Sequence, residues 1–142
     1  MSINFSFIII DDGELDCYVT QKFLERIDKN LLVRTFQSAH QALDVIRDGY
    51  WDSGSLHTVI LLDLQMPLMN GFRFVEEFEK LDAEVQKNYS IIILSILNSA
   101  TNPADIARIL SYDKVNSIIE KPLTREKLFL LLQKAESSIN VL

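Results

Sequence analysis

One cysteine, Cys17, is all that 142 residues contain, so no internal disulfide braces the chain and a reducing compartment suits it. Cys17 falls inside a helical pattern and reads as a packing residue, not a nucleophile. Glycine and proline are scarce, at four and three residues, and low-complexity tracts are absent, which excludes collagen-like and disordered architectures. No stretch reaches the ~18 apolar residues that a membrane span needs, and no basic segment precedes an apolar one at the amino terminus. Cationic charge is in deficit: the net charge of −6 gives no support to direct nucleic-acid binding, which depends on clustered Lys and Arg. A soluble, cytoplasmic protein without membrane insertion is expected, and protein partners remain open to it.

What is present is a globular composition, with nearly half the residues hydrophobic. This length fits one domain with a sizeable core. A single domain over residues 1–142 is expected, with its core at about 5–135 and a short tail at 136–142.

Apolar runs alternate with helical patterns along the whole chain. Phe5 to Ile10 reads as a first strand that runs into Asp11-Asp12-Gly13. A helix follows from about Glu14 to Ile27, where Leu15, Val19, Phe23 and Ile27 recur every four residues and Leu24 widens the stripe. Leu31 to Phe36 reads as a second strand, and Ser38 as the cap of a helix whose face is Ala39, Ala42, Leu43 and Ile46. Tyr50 to His57 is expected to be a loop anchored by Trp51. Val59 to Leu62 is an all-apolar strand ending in Asp63, and turn residues Pro67 and Asn70-Gly71 follow it. Phe74, Val75, Phe78 and Leu81 mark a third helix, and Ser90 to Leu94 a fourth strand ending in Ser95. Asn102-Pro103 opens a fourth helix with Ile106, Ile109 and Leu110 on its apolar side. Asn116 to Ile119 is a short fifth strand ended by Glu120-Lys121-Pro122, and Thr124 caps a last helix holding Leu128, Leu131, Leu132 and Ala135.

Five strands alternating with five helices predict an α/β fold: a doubly wound, five-stranded parallel sheet covered on both faces. The common strand order is 2-1-3-4-5, with its switch point between strands one and three, and ligands bind at such a point beyond the carboxyl ends of the strands. Asp11, Asp12 and Asp63 meet there. Three carboxylates held close repel one another unless something neutralises them. Mg²⁺, which takes oxygen ligands and keeps several waters, answers this, with Asp11 or Asp12, Asp63 and the carbonyl of Gln65 as candidate ligands. Ser95 and Lys121 end the two neighbouring strands, so a carboxylate, a metal site, a hydroxyl and an ammonium converge on one crevice. A carboxylate can attack phosphorus to form an aspartyl phosphate, and phosphoryl transfer asks mainly for positioning and charge neutralisation.

With these residues in view, the sequence resembles the receiver domains of two-component response regulators, chemotaxis-regulator-like domains of flavodoxin-like fold. The likeness rests on Asp11-Asp12, the segment DLQMPLMNG from Asp63, Ser95 and Lys121-Pro122, and it covers about residues 5 to 135. It implies that Asp63 is the phosphoacceptor, that Asp11 and Asp12 hold Mg²⁺, that Ser95 is a switch hydroxyl, and that Lys121 contacts the phosphoryl group. It also implies a histidine kinase or histidine phosphotransfer protein as donor, a cis bond before Pro122, and no enzyme activity beyond the domain's own phosphorylation and dephosphorylation.

Three positions depart from the family's pattern. Ile118 stands where an aromatic switch residue is common, and Ile96, where many members have a small residue, has the bulk to narrow access to Asp63. Gln65 and Leu97 occupy rate-tuning positions, and apolar Leu97 is poorly suited to orienting water, so a long-lived phosphoryl group is expected. The signal is expected to leave through the surface of the fourth helix, fifth strand and last helix, where Phe129 is a candidate contact for a downstream protein or for a homodimer. Residues 136–142 are too few for an output domain, so the chain reads as a stand-alone receiver or as one excised from a larger protein. A haloacid-dehalogenase-type phosphatase wants a second acid where Gln65 stands, and a flavodoxin-type binder wants a Ser/Thr/Gly-rich loop where Asp11-Asp12 stands. The alternative is a degenerate receiver that acts as a phosphorylation-independent interaction module.

Overall fold

The computed structural model describes residues 5–49, 56–64, 70–96 and 102–140, with side chains through 136. Strands β1 (Phe5–Ile10), β2 (Val33–Phe36), β3 (His57–Leu62), β4 (Tyr89–Ser95) and β5 (Val115–Glu120) form one parallel sheet in the order 2-1-3-4-5. The helices are α1 (Glu14–Ile27), α2 (Ala39–Asp48), α3 (Gly71–Phe78), α4 (Ala83–Gln86), α5 (Pro103–Leu110) and α6 (Arg125–Asn140). The expected loop around Trp51 lies almost wholly outside the described residues.

Strand position explains the apolar runs. All six residues of β1 are buried because helices cover both faces of the inner strands. Ile8, Ile10, Ile60, Leu62, Ile91 and Ile93 pack under α2, α3 and α5, whereas Phe7, Ile9, Val59, Leu61, Ile92 and Leu94 pack under α1 and α6. Phe7, Phe74 and Phe78 are fully buried, each worth roughly 1.5–3 kcal/mol. The edge strand β5 instead alternates, with Val115, Ser117 and Ile119 buried and Asn116 and Ile118 half-buried.

Local chemistry sets the helix ends. Ser38 Oγ accepts from Gln41 N, and α2 stops at Gly49, which takes the left-handed φ of 75° that glycine tolerates best. Asn102 Oδ1 accepts from Ala104 N ahead of Pro103, and Thr124 Oγ1 accepts from Lys127 N at the start of α6. The inward faces of α2 and α6 are those the periodicity predicts: Ala39, Ala42, Leu43 and Ile46, then Leu128, Leu131, Leu132 and Ala135.

Several elements differ from expectation. The five expected helices become six, because α3 ends at Phe78, short of Leu81, and a separate turn, α4, follows. Gln86 ties that turn down by donating from Nε2 to Glu79 O at 3.0 Å and Leu81 O at 2.8 Å. Strand β2 starts at Val33 instead of Leu31. Leu110, expected on the apolar side of α5, is exposed. The largest correction is in α1. Leu15 and Val19 are 72% and 42% exposed, and the residues that meet the sheet are Cys17, Thr20 and Leu24. Cys17 and Leu24 join the cluster of Phe7 and Ile9, Phe23 and Ile27 pack partly against it, and the Cys17 thiol donates to Asp11 O at 3.2 Å.

Candidate functional site

Backbone ladder bonds carry the acids to the sheet's carboxyl end. Asp11 N donates to Phe36 O, and Asp63 N donates to Ile10 O, both at 3.0 Å, so each carboxylate begins where its strand stops. Strand alternation then sends Asp11 and Asp63 toward the α1 and α6 side. A short turn orients Asp11: its Oδ1 accepts from Gly13 N at 2.9 Å. Behind Asp63 the chain is held by Gly71 N donating to Leu64 O at 2.9 Å. No other residue fits at Gly71 unaltered, since a Cβ there would lie 2.7 Å from Leu64 Cα and 2.8 Å from Asp63 O.

One oxygen from each of Asp11, Asp12 and Asp63 lies within 4.8 Å of the others; Asp11 and Asp63 are buried and Asp12 is exposed. Lys121 reaches in directly after β5, and its peptide bond to Pro122 is cis, the isomer that the resemblance implies. Its ammonium donates to Asp11 Oδ2 at 2.6 Å and lies 3.8 Å from Asp63 Oδ2. Burial works to lower the Lys121 pKa, but the hydrogen bond to Asp11 and the charges of Asp63, Asp11 and Asp16 outweigh it and leave it raised. Lys121 therefore stays cationic at neutral pH.

Ser95 is buried at the end of β4, and its carbonyl accepts from Lys121 N at 2.9 Å, so the two expected phosphoryl-binding residues are joined through the backbone. Ile118 is half-buried on the α5 side of the sheet, while Ile96 and Phe129 are exposed at 58% and 41%. Gln65 and Leu97 lie outside the described residues. Asp16 was absent from the sequence-derived set, yet its Oδ2 is 3.5 Å from the Lys121 ammonium. Its signal was an acid in the first turn of the helix that follows Asp11-Asp12. Cys17 is held protonated, its pKa pushed up to about 11 by burial and by the charges of Asp11 and Asp16, which fits packing and not catalysis.

The donor set suits a hard divalent cation. Asp11, Asp16 and Asp63 surround one ammonium, Asp12 adjoins Asp11 and Asp63, and all four carboxylates offer oxygen. Asp11, Asp12 and Asp63 would each offer such a cation one carboxylate oxygen.

The molecule is thus a doubly wound α/β domain with an acidic crevice at its switch point and one lysine reaching into it. The response regulator receiver domain model matches residues 7–133, and the chain belongs to that family. A response regulator receiver protein from Dyadobacter fermentans is 33% identical, with a TM-score of 0.74 over 92% of this chain and 96% of that one. Two-component response regulator 24 of Arabidopsis thaliana is 27% identical over 128 residues, 89% of this chain and 81% of the plant protein. The peroxide stress-activated histidine kinase of Schizosaccharomyces pombe is 24% identical over 90% of this chain, which spans only 7% of that kinase's length. The protein is thus a two-component receiver, a signalling domain. No helix among the described residues is long and apolar enough to cross a membrane.

Proposed function

We propose that the chain is a single phosphoacceptor domain, residues 1–142, in which Asp63 takes a phosphoryl group from a phosphohistidine donor in an Mg²⁺-dependent step. The observation that carries this reading is the buried Asp63 carboxylate held between Asp11, Asp12 and the Lys121 ammonium. An Asp63 oxygen attacks phosphorus as the P–N bond to the donor imidazole breaks, and the leaving nitrogen keeps the bond's electron pair and takes up a proton. Asp11, Asp12, Asp63 and the Gln65 carbonyl would hold Mg²⁺, which when bound supplies neutralisation of the phosphoryl charge.

Lys121 now spends its strongest hydrogen bond on Asp11. New phosphoryl oxygens beside it give the ammonium a competing acceptor, and they give Ser95 one for its hydroxyl. Both residues adjoin β5, so this change biases the α5, β5 and α6 surface, with Ile118 as the packing residue and exposed Phe129 as a contact for a downstream protein or a homodimer. Exposed Leu15, Tyr18 and Val19 line the rim where α1 leaves Asp11-Asp12, which suits a donor such as a histidine kinase or histidine phosphotransfer protein. A cytoplasmic location fits such a donor. Gln65, Ile96 and Leu97 would set the phosphoryl lifetime, expected to be long; decay of the isolated phosphoprotein within seconds would contradict that.

Intact mass after incubation with Mg²⁺ and acetyl phosphate tests the reading. One phosphoryl adduct is expected, lost in Asp63→Asn and lost with a chelator. An adduct that survives Asp63→Asn would move the acceptor elsewhere. No adduct on the wild type, together with no beryllofluoride binding, would leave the phosphorylation-independent interaction module.

A further inference from the structure

On the second half of α1 the apolar row turns toward α6 and opens a groove of about 250 Å³, lined by Phe23, Arg26, Ile27, Arg125 and Leu128. Phe23 lies two turns, about 12 Å, beyond exposed Leu15, so the groove is separate from the crevice rim. Its floor is apolar, and the two charged groups on its walls are both guanidinium. That is notable in a chain of net charge −6. Like several other cationic residues of the chain, Arg26 and Arg125 take part in no ion pair among the described residues, and these two stand together on one apolar groove.

We propose that this groove binds an acidic amphipathic peptide segment of a partner protein, one large apolar side chain seated on Phe23, Ile27 and Leu128 and flanking carboxylates held by Arg26 and Arg125. A guanidinium is built for bidentate carboxylate pairing, and two of them on opposite helices fix both ends of a short segment. The groove volume admits one or two large apolar side chains. Charge selects the peptide over an anionic membrane surface: an extended polyanion would face the whole chain's excess of carboxylates, while a short segment seated in the groove meets a lining whose only charged groups are these two guanidiniums. Arg125 sits four residues after Lys121, so an occupant would rest against the turn that carries the crevice lysine.

The test is selection of displayed random twelve-residue peptides on the folded full chain, with counter-selection on Arg26→Glu/Arg125→Glu. Enriched peptides are expected to carry Asp or Glu beside Leu, Ile, Phe or Trp. A synthetic copy of the most enriched one should shift the backbone amides of Phe23, Arg26, Ile27, Arg125 and Leu128. It should lose at least tenfold in affinity on the double glutamate variant and on a milder Arg26→Gln/Arg125→Gln variant. Both arginines are exposed and outside the crevice, so circular dichroism and labelling by acetyl phosphate should not change, which separates this result from any failure of Asp63 to be phosphorylated. Enrichment of peptides without acids, no enrichment, or equal affinity for the variants would overturn the proposal. Arginine-dependent binding of phosphatidylserine vesicles without peptide binding would give the groove to a membrane and overturn it as well.

Discussion

The two ends of the same central strands bury polar groups in opposite ways. At the amino end, Ser6 on β1 and Thr58 on β3 share a 2.7 Å hydrogen bond, and His57 Nε2 lies 2.6 Å from Ser90 Oγ on β4. These groups are neutral and meet partners of the same kind across the sheet. At the carboxyl end, Asp11, Asp16 and Asp63 share a single ammonium, that of Lys121, among the described residues, and the Asp12 carboxylate joins the cluster beside Asp11 and Asp63. Desolvating an unmatched charge costs far more than desolvating a paired hydroxyl. The amino end can thus serve stability alone, whereas the carboxyl end stores an electrostatic imbalance that a cation and a transferred phosphoryl group would alter.

Removing Lys121 should break this contrast most severely. Lys121→Ala is expected to slow acetyl-phosphate labelling of Asp63 by about a hundredfold, the scale for one preorganised charge donor at a transition state. It should also lower metal-free thermal stability, with Mg²⁺ restoring part of it. Because the folded pKa of Lys121 is raised, its stabilising contribution is complete below the ordinary lysine value and fades as pH rises through the raised one. The variant should lose that alkaline dependence; labelling at the wild-type rate would refute the assigned role.

Gly71→Ala tests the backbone behind Asp63. The added methyl must displace Leu64 or Asp63 O, so a loss of about 1–3 kcal/mol in urea unfolding is expected together with slower labelling. Ser6→Ala, at the opposite end, should cost about 1 kcal/mol and leave labelling unchanged. If Ser6→Ala slowed labelling as much as Gly71→Ala, the division between the ends would fail.

His57 sharpens the comparison more finely. Burial, then the charge of Lys114, lowers its pKa. The unfolded chain therefore takes up a proton first, and stability that is whole above the ordinary histidine value of about 6.5 declines as pH falls below it. Urea midpoints from pH 7.5 to 5 should show this slope in the wild type and a flatter one in His57→Gln. The smallest effect is at Cys17: its buried, protonated thiol should react with iodoacetamide at neutral pH only at the rate of global unfolding. Rapid native-state alkylation would show that α1 leaves the sheet readily.

The sequence by itself determined five apolar strands and the acids at their ends, and their order followed only from the common arrangement of such folds. Each apolar run is local, parallel strands buried on both faces need such runs, and a charged residue stops the run where the sheet meets solvent. It also determined the caps at Ser38, Asn102 and Thr124, because capping is a contact within three residues. Tertiary structure alone decided the rotation of α1. Leu15, Val19, Phe23 and Ile27 share a helical face, but periodicity does not say how far that face turns to the sheet; Cys17 and Leu24 pack with Phe7 and Ile9, Phe23 and Ile27 only partly, and Leu15 and Val19 are left in solvent. The same packing brought Asp16 within 3.5 Å of a lysine 105 positions away and set Arg26 opposite Arg125. Such pairings depend on how helices lie across a twisted sheet, and that geometry is a property of the whole core, carried by no single segment.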